Sequence, residues 1–152
     1  MTEDEAKILV DFMERRIPFN VFLGMRVTHV SDGVAEMMIP ARAELTGDPF
    51  RPALHGGVVS SLADTVGGLA VFSQLGQDRI ASTLDLRIDY LRPGAVDQDL
   101  FARANVVRAG NRVAVTHTTI FQADPSKPIA TANAVYNVVA RKPTPHTTDS
   151  VP

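Results

Sequence analysis

The stretch from Ile80 to Tyr90 alternates without a break: Ile80, Ser82, Leu84, Leu86, Ile88 and Tyr90 share one parity, and Ala81, Thr83, Asp85, Arg87 and Asp89 share the other. Successive side chains of an extended chain point to opposite faces, so this is a strand with one face in a core and one toward solvent. Arg92-Pro93-Gly94 ends it. Three more strands follow, at about 99–108, 112–122 and 128–139, separated by Ala109-Gly110-Asn111 and Asp124-Pro125-Ser126, residues that turn a chain back on itself. Upstream lies one long helical segment, 56–75, with Val59, Leu62, Val66 and Leu69 on one stripe and Gly76 as its stop. Strands of about 10 to 12 residues run ~33 to 40 Å, and a helix of about 20 residues runs ~30 Å. One helix can therefore lie lengthwise along a curved sheet, and that pair of layers defines the expected fold.

The remaining segments add to this core. Thr2-Glu3-Asp4-Glu5 has the form of a capping box, and Ile8, Leu9, Phe12 and Met13 recur at helical spacing, which predicts an amphipathic helix over about 3–16 that ends before Pro18. Met25 and Val27 open a strand, Ser31-Asp32-Gly33 turns, and Val34 to Ile39 returns as its hairpin partner. Residues 40–54, with Pro40, Gly47, Pro49 and Pro52, show no period and form a long loop, a length that is uncommon unless functional. The last dozen residues, 141–152, are Pro/Thr-rich and read as a disordered tail. The prediction is an α+β class: six mostly antiparallel strands around one helix, in a single domain over residues 1–140. Pairing of exposed strand edges predicts a homodimer at least.

Composition narrows the chemistry. The 152 residues include no cysteine, which removes disulfides, a thiol nucleophile and thiolate metal sites. The formal charge of −2 argues against binding nucleic acid by overall basicity. The N-terminus is acidic where a secretory signal is basic, and the most apolar run, 58–72, is broken by Asp64 and too short to span a membrane. The expected location is the cytoplasm. His29, His117 and His146 lack metal-ligand spacing, and no GxSxG elbow occurs.

The segment Leu54 to Gly68 carries the candidate chemistry. Gly56 and Gly57 open the long helix, where bare amides and the positive dipole end suit an oxyanion or a phosphate. Asp64 is the only charge in that helix and shares a strip of small residues with Gly57, Ser60, Ser61, Gly67 and Gly68. A lone carboxylate in such surroundings is a candidate general base or nucleophile with a raised pKa. Each feature also has an ordinary structural reading: a tight turn for the glycines, helix-to-sheet contact for the strip, a bonded side chain for Asp64 and a satisfied loop histidine for His55.

LHGGVVSSLADTVGGLA, followed by ASTLDLRIDYLRPG and AGNRVAV, resembles the PaaI-like branch of the hotdog-fold acyl-CoA thioesterases over roughly residues 20–139. The resemblance implies a helix wrapped by a curved antiparallel sheet. It also implies Asp64 as base or nucleophile, the Gly56 N–H as carbonyl polariser, His55 as a supporting loop residue and Thr83 as a polar group near the attacking water. The substrate would be a small aromatic or short- to medium-chain acyl-CoA, with no cofactor and no metal. Relatives of this kind carry an amide side chain where this chain has Pro49, so Asp48 is a candidate substitute. Arg92 and Arg112, beside turns, are candidates for CoA phosphate alongside Gly57. Gly56 and Asp64 are ~12 Å apart along one helix, too far to serve one carbonyl, which predicts composite sites across a dimer, or a dimer of dimers. The alternatives are a non-catalytic acyl-CoA binding or sensing module and a hotdog dehydratase or hydratase.

Overall fold

In the computed structural model, which describes residues 1–75 and 79–140, a central helix lies in the hollow of a six-stranded sheet. The N-terminal segment forms α1 (Glu3–Asp11), a wide π-type turn over Phe12–Arg16 and α2 (Pro18–Leu23). Then come β1 (Arg26–Ser31), β2 (Val34–Ile39), a 3-10 turn at Ala43–Leu45 and the central helix α3 (Gly56–Phe72). The chain finishes with β3 (Arg79–Tyr90), β4 (Leu100–Ala109), β5 (Val113–Phe121) and β6 (Ala130–Ala140).

Every neighbouring pair is antiparallel, in the order β1-β2-β4-β5-β6-β3. Val59, Leu62, Ala63, Val66, Leu69 and Ala70 of α3 are buried against the hollow face. That face is paved with Ala35, Ala102, Ala104, Ala130, Ala132 and Ala134, all buried, and their small side chains let the helix settle close to the strands. Register shifts at Val27/His29, Thr83/Asp85 and Val106/Arg108 place one extra residue in β1, β3 and β4. Such bulges bend and twist a sheet, and three of them curl this one around α3. This is the hotdog arrangement, an α+β fold, as the sequence predicts.

One expectation needs completing and one needs correction. The first helical segment ends before Pro18, as expected, but Pro18 also occupies the first turn of a further helix, α2, where its missing N–H has no partner to lose and its fixed φ suits the start of a helix. The central helix ends at Phe72, capped by Ser73, three residues short of the predicted end. The predicted stop at Gly76 and the predicted tail at 141–152 lie outside the described residues.

Candidate active site

The loop preceding α3 is folded onto the helix start. His55 N–H donates to the Leu45 carbonyl at 2.8 Å, and Thr46 bridges to Leu54. A side chain on Gly47 would strike the His55 backbone, so the close approach requires glycine there. His55 then caps α3: its Nδ1 accepts from Gly57 N–H at 2.8 Å. The Gly57 amide is thereby spent, while Gly56 N–H has no acceptor among the described residues. An uncommitted amide at the positive end of a 17-residue helix is a donor ready for an oxyanion.

Tyr90, at the end of β3, donates its hydroxyl to the Gly56 carbonyl at 3.0 Å. Two turns further along α3, Asp64 is half-buried, and Thr83 Oγ1 donates to its Oδ1 at 2.7 Å. Among the described residues Oδ2 receives no donor. Tyr136 of β6, buried, donates its hydroxyl to the Asp64 carbonyl at 2.9 Å. Burial, and after it the Asp64 charge, push the Tyr136 hydroxyl up, so it stays a donor over the working range. The chain has two tyrosines, and both are bonded to backbone carbonyls of the two residues that frame the site.

Thr83 reaches Asp64 only because of the bulge in β3. Unbroken alternation would place Thr83 with Asp85, Arg87 and Asp89, opposite Leu86 and Ile88. The shift between Thr83 and Asp85 leaves Leu84 unpaired, and Leu84 is 63% exposed. Thr83 therefore pairs with buried Tyr136, just as Leu86 pairs with buried Ala134.

The other predicted residues fall elsewhere. Ser60 and Ser61 bond back to the Gly57 carbonyl at 3.1 and 2.6 Å and act within the helix turn. Asp48 accepts from Phe50 N–H, from Arg51 N–H and from Arg51 Nε, which hold its carboxyl below the usual range. Both its oxygens are committed to its own loop. Arg92 lies beside Ile129 and Arg112 beside Val138, so the two sit ~30 Å apart along β6 and the chain does not bring them together. Sequence reasoning missed Tyr90 and Tyr136; the available signal was that a tyrosine on a core-facing strand position must find an acceptor for its hydroxyl. Among the described residues no three His, Asp or Glu side chains gather as metal ligands, and no helix is long and apolar enough to cross a membrane.

This geometry has relatives. Residues 52–129 match the model of the thioesterase superfamily. The medium/long-chain acyl-CoA thioesterase YigI of Escherichia coli is 30% identical over 149 residues, covering 90% of this chain and 95% of that one. A Halobacterium salinarum protein, the putative esterase VNG_1336C, is 42% identical over 102 residues, covering 65% of this chain and 66% of that protein. The structure of a mutant of the phenylacetic acid degradation protein PaaI from Thermus thermophilus superposes with a TM-score of 0.70 at 28% identity, covering 79% of this chain and 97% of that one. The chain belongs to the thioesterase superfamily and is a thioester hydrolase of the hotdog fold.

Proposed function

We propose that the protein is an acyl-CoA thioesterase working as a homodimer, singly or paired into a dimer of dimers, with each site shared between two subunits. The observation that carries this reading is the separation of two prepared groups on one helix: the free Gly56 N–H and the Thr83-held carboxylate of Asp64, ~12 Å apart. A two-fold axis that sets two copies of α3 antiparallel would bring Asp64 next to Gly56 of the partner subunit. β3 supports such an axis, because it is an edge strand of 12 residues with Ile80 and Leu84 exposed on it. The names of YigI and PaaI support a coenzyme A thioester of an aliphatic or aromatic acid as the substrate class.

In the mechanism that fits, the thioester carbonyl oxygen takes its hydrogen bond from Gly56 N–H of the partner subunit. Asp64 Oδ2 accepts a proton from water as the water oxygen bonds to the carbonyl carbon. Thr83 keeps Oδ1 occupied and so presents Oδ2. When the carbon–sulfur bond breaks, the proton passes from Asp64 to the leaving thiolate, giving the acid and free coenzyme A. Direct attack by Asp64 through a mixed anhydride uses the same atoms. Arg92 and Arg112 at the two ends of the sheet are the proposed contacts for the coenzyme, coming from opposite subunits, whereas Asp48, whose oxygens are both held within its own loop, orders that loop beside the helix start instead of replacing the amide side chain. Hydrolysis of a panel of acyl-CoAs tests the reading. Asp64→Ala should lower kcat by about 10²-fold or more, and near-native turnover by a folded variant overturns it.

A further inference from the structure

α1 buries no residue, although Ile8, Leu9 and Phe12 line one side of the N-terminal segment. That side overlooks a cavity of ≈ 650 Å³, within the usual size of a small-molecule site. Ile8, Leu9 and Phe12 form one wall, and Phe72 and Leu75 at the end of α3 and Ile80 at the start of β3 add further apolar lining; the rest includes Glu5, Gln74, Arg79 and the ion pair of the Met1 ammonium with Asp32. Ile8 is 58% and Phe12 43% exposed, so this is apolar surface that the fold leaves uncovered.

The cavity lies in line with Asp64. On α3, Asp64, Gly68 and Phe72 are spaced by four residues and fall on one face. All three are half-buried, whereas Val66, Gly67, Leu69, Ala70 and Val71 between them are buried. The two glycines differ in kind. A Cβ on Gly67 would overlap the Tyr136 hydroxyl, so Gly67 serves packing; a Cβ on Gly68 would meet only Tyr136 Cε1, at 3.8 Å. The bare backbone at Gly68 therefore leaves a lane between Asp64 and Phe72. In the shared site proposed above, the partner's α3 begins at Gly56, opposite Asp64, and so does not run over this lane.

We infer that the cavity receives the far end of the acyl chain, which runs from the thioester at Asp64 over Gly68 to the apolar underside of α1, and that the preferred acyl group is an unbranched aliphatic chain long enough to reach it. Asp64 and Phe72 are ~12 Å apart along the helix, and an extended alkyl chain gains about 1.25 Å per carbon, so about ten carbons make the span. A short or small aromatic group stops before the cavity. The inference rests on the acyl-CoA reading and names the acyl class within it.

The test uses S-alkyl-CoA thioethers, which bind without being hydrolysed, with butyl and dodecyl chains. Affinities are measured by calorimetry for the wild-type protein, for Gly68→Leu, which fills the lane, and for Ile8→Trp, which fills the cavity from an exposed position. Each methylene buried strengthens binding up to about fourfold, so the wild type should favour dodecyl over butyl by at least about tenfold. Both variants should reduce that ratio below about threefold, with circular dichroism confirming the fold. A ratio near one in the wild type, or a ratio that survives in either folded variant, overturns the inference. Failure of both thioethers to bind instead sinks the acyl-CoA reading beneath it, and chain-dependent binding without any hydrolysis of the matching thioesters leaves the cavity assigned but removes the enzyme activity.

Discussion

Thr83 donates its hydroxyl proton to Asp64 at 2.7 Å, across from a strand whose sequence pattern points Thr83 the other way. The extra residue Leu84 makes the contact possible, and it ties the local backbone of an edge strand to the carboxylate on the central helix. Thr83→Val keeps the shape and removes the donor. Losing a hydrogen bond to a charged group costs roughly 1.5–3 kcal/mol, so kcat should fall by about tenfold or more with KM little changed. Thr83→Ser should restore most of the rate. Steady-state kinetics on the two variants checks both halves.

Gly56→Pro removes the free amide while respecting the local backbone. Proline is favoured in the first turn of a helix, and His55, at φ −64 and ψ 131, already has the extended conformation that precedes proline. The variant should fold and be inactive. Mixed dimers of Gly56→Pro with Asp64→Ala should regain activity, because one of the two shared sites then holds an intact Gly56 and an intact Asp64. If subunit exchange between these dead variants recovers no turnover, the shared site is wrong.

Gly67 and Gly68 should respond oppositely to a methyl group. Gly67→Ala drives a Cβ into the Tyr136 hydroxyl and Thr116 Oγ1, and overpacking of that kind typically costs about 1–3 kcal/mol. Gly68→Ala meets no close neighbour and gains helix propensity, so it should be neutral or stabilising by up to about 1 kcal/mol. Urea denaturation of the two variants separates them.

The capping box of α1 gives a pH dependence with a definite sign. The backbone N–H of Thr2, and next its side chain, hold the Glu5 carboxyl below the ordinary glutamate range. A carboxyl whose pKa is lowered on folding stabilises the fold above its unfolded value of about 4.3 and loses that contribution as pH falls through the folded value. The protection of amides in α1, taken relative to their intrinsic exchange at each pH, should therefore fall below about pH 4, while α3 stays protected. An equal loss of protection in both helices would contradict this.

Much of the architecture was legible because its cues are periodic. The return strand Val34–Ile39 and the hairpins at Gly110 and Pro125 follow from alternation and turn residues alone. The bulge at Leu84 was not legible, since an added residue leaves no mark in a strand that is apolar on one parity and mixed on the other. Helix α2 was hidden because Pro18 carries two meanings, an end and a beginning, and only the tertiary position of Asn20 and Leu23 in the core decides between them. At the site, Gly56 and Asp64 were readable as chemistry on a helix. Tyr90 and Tyr136 were not, because their acceptors are backbone carbonyls far away along the chain.

The two tyrosine hydroxyls also divide the molecule into a part that measures and a part that adjusts. By gripping the carbonyls of Gly56 and Asp64, the sheet acts as a gauge that sets how far along α3 the two chemical groups stand. α1 lies outside that gauge: its Leu9 packs partly buried against the core, but its Ile8 is exposed and lines the cavity. A residue placed like Ile8 is free to vary in size without shifting the distance on which the reaction depends, so a lineage could retune what it cleaves while leaving how it cleaves untouched.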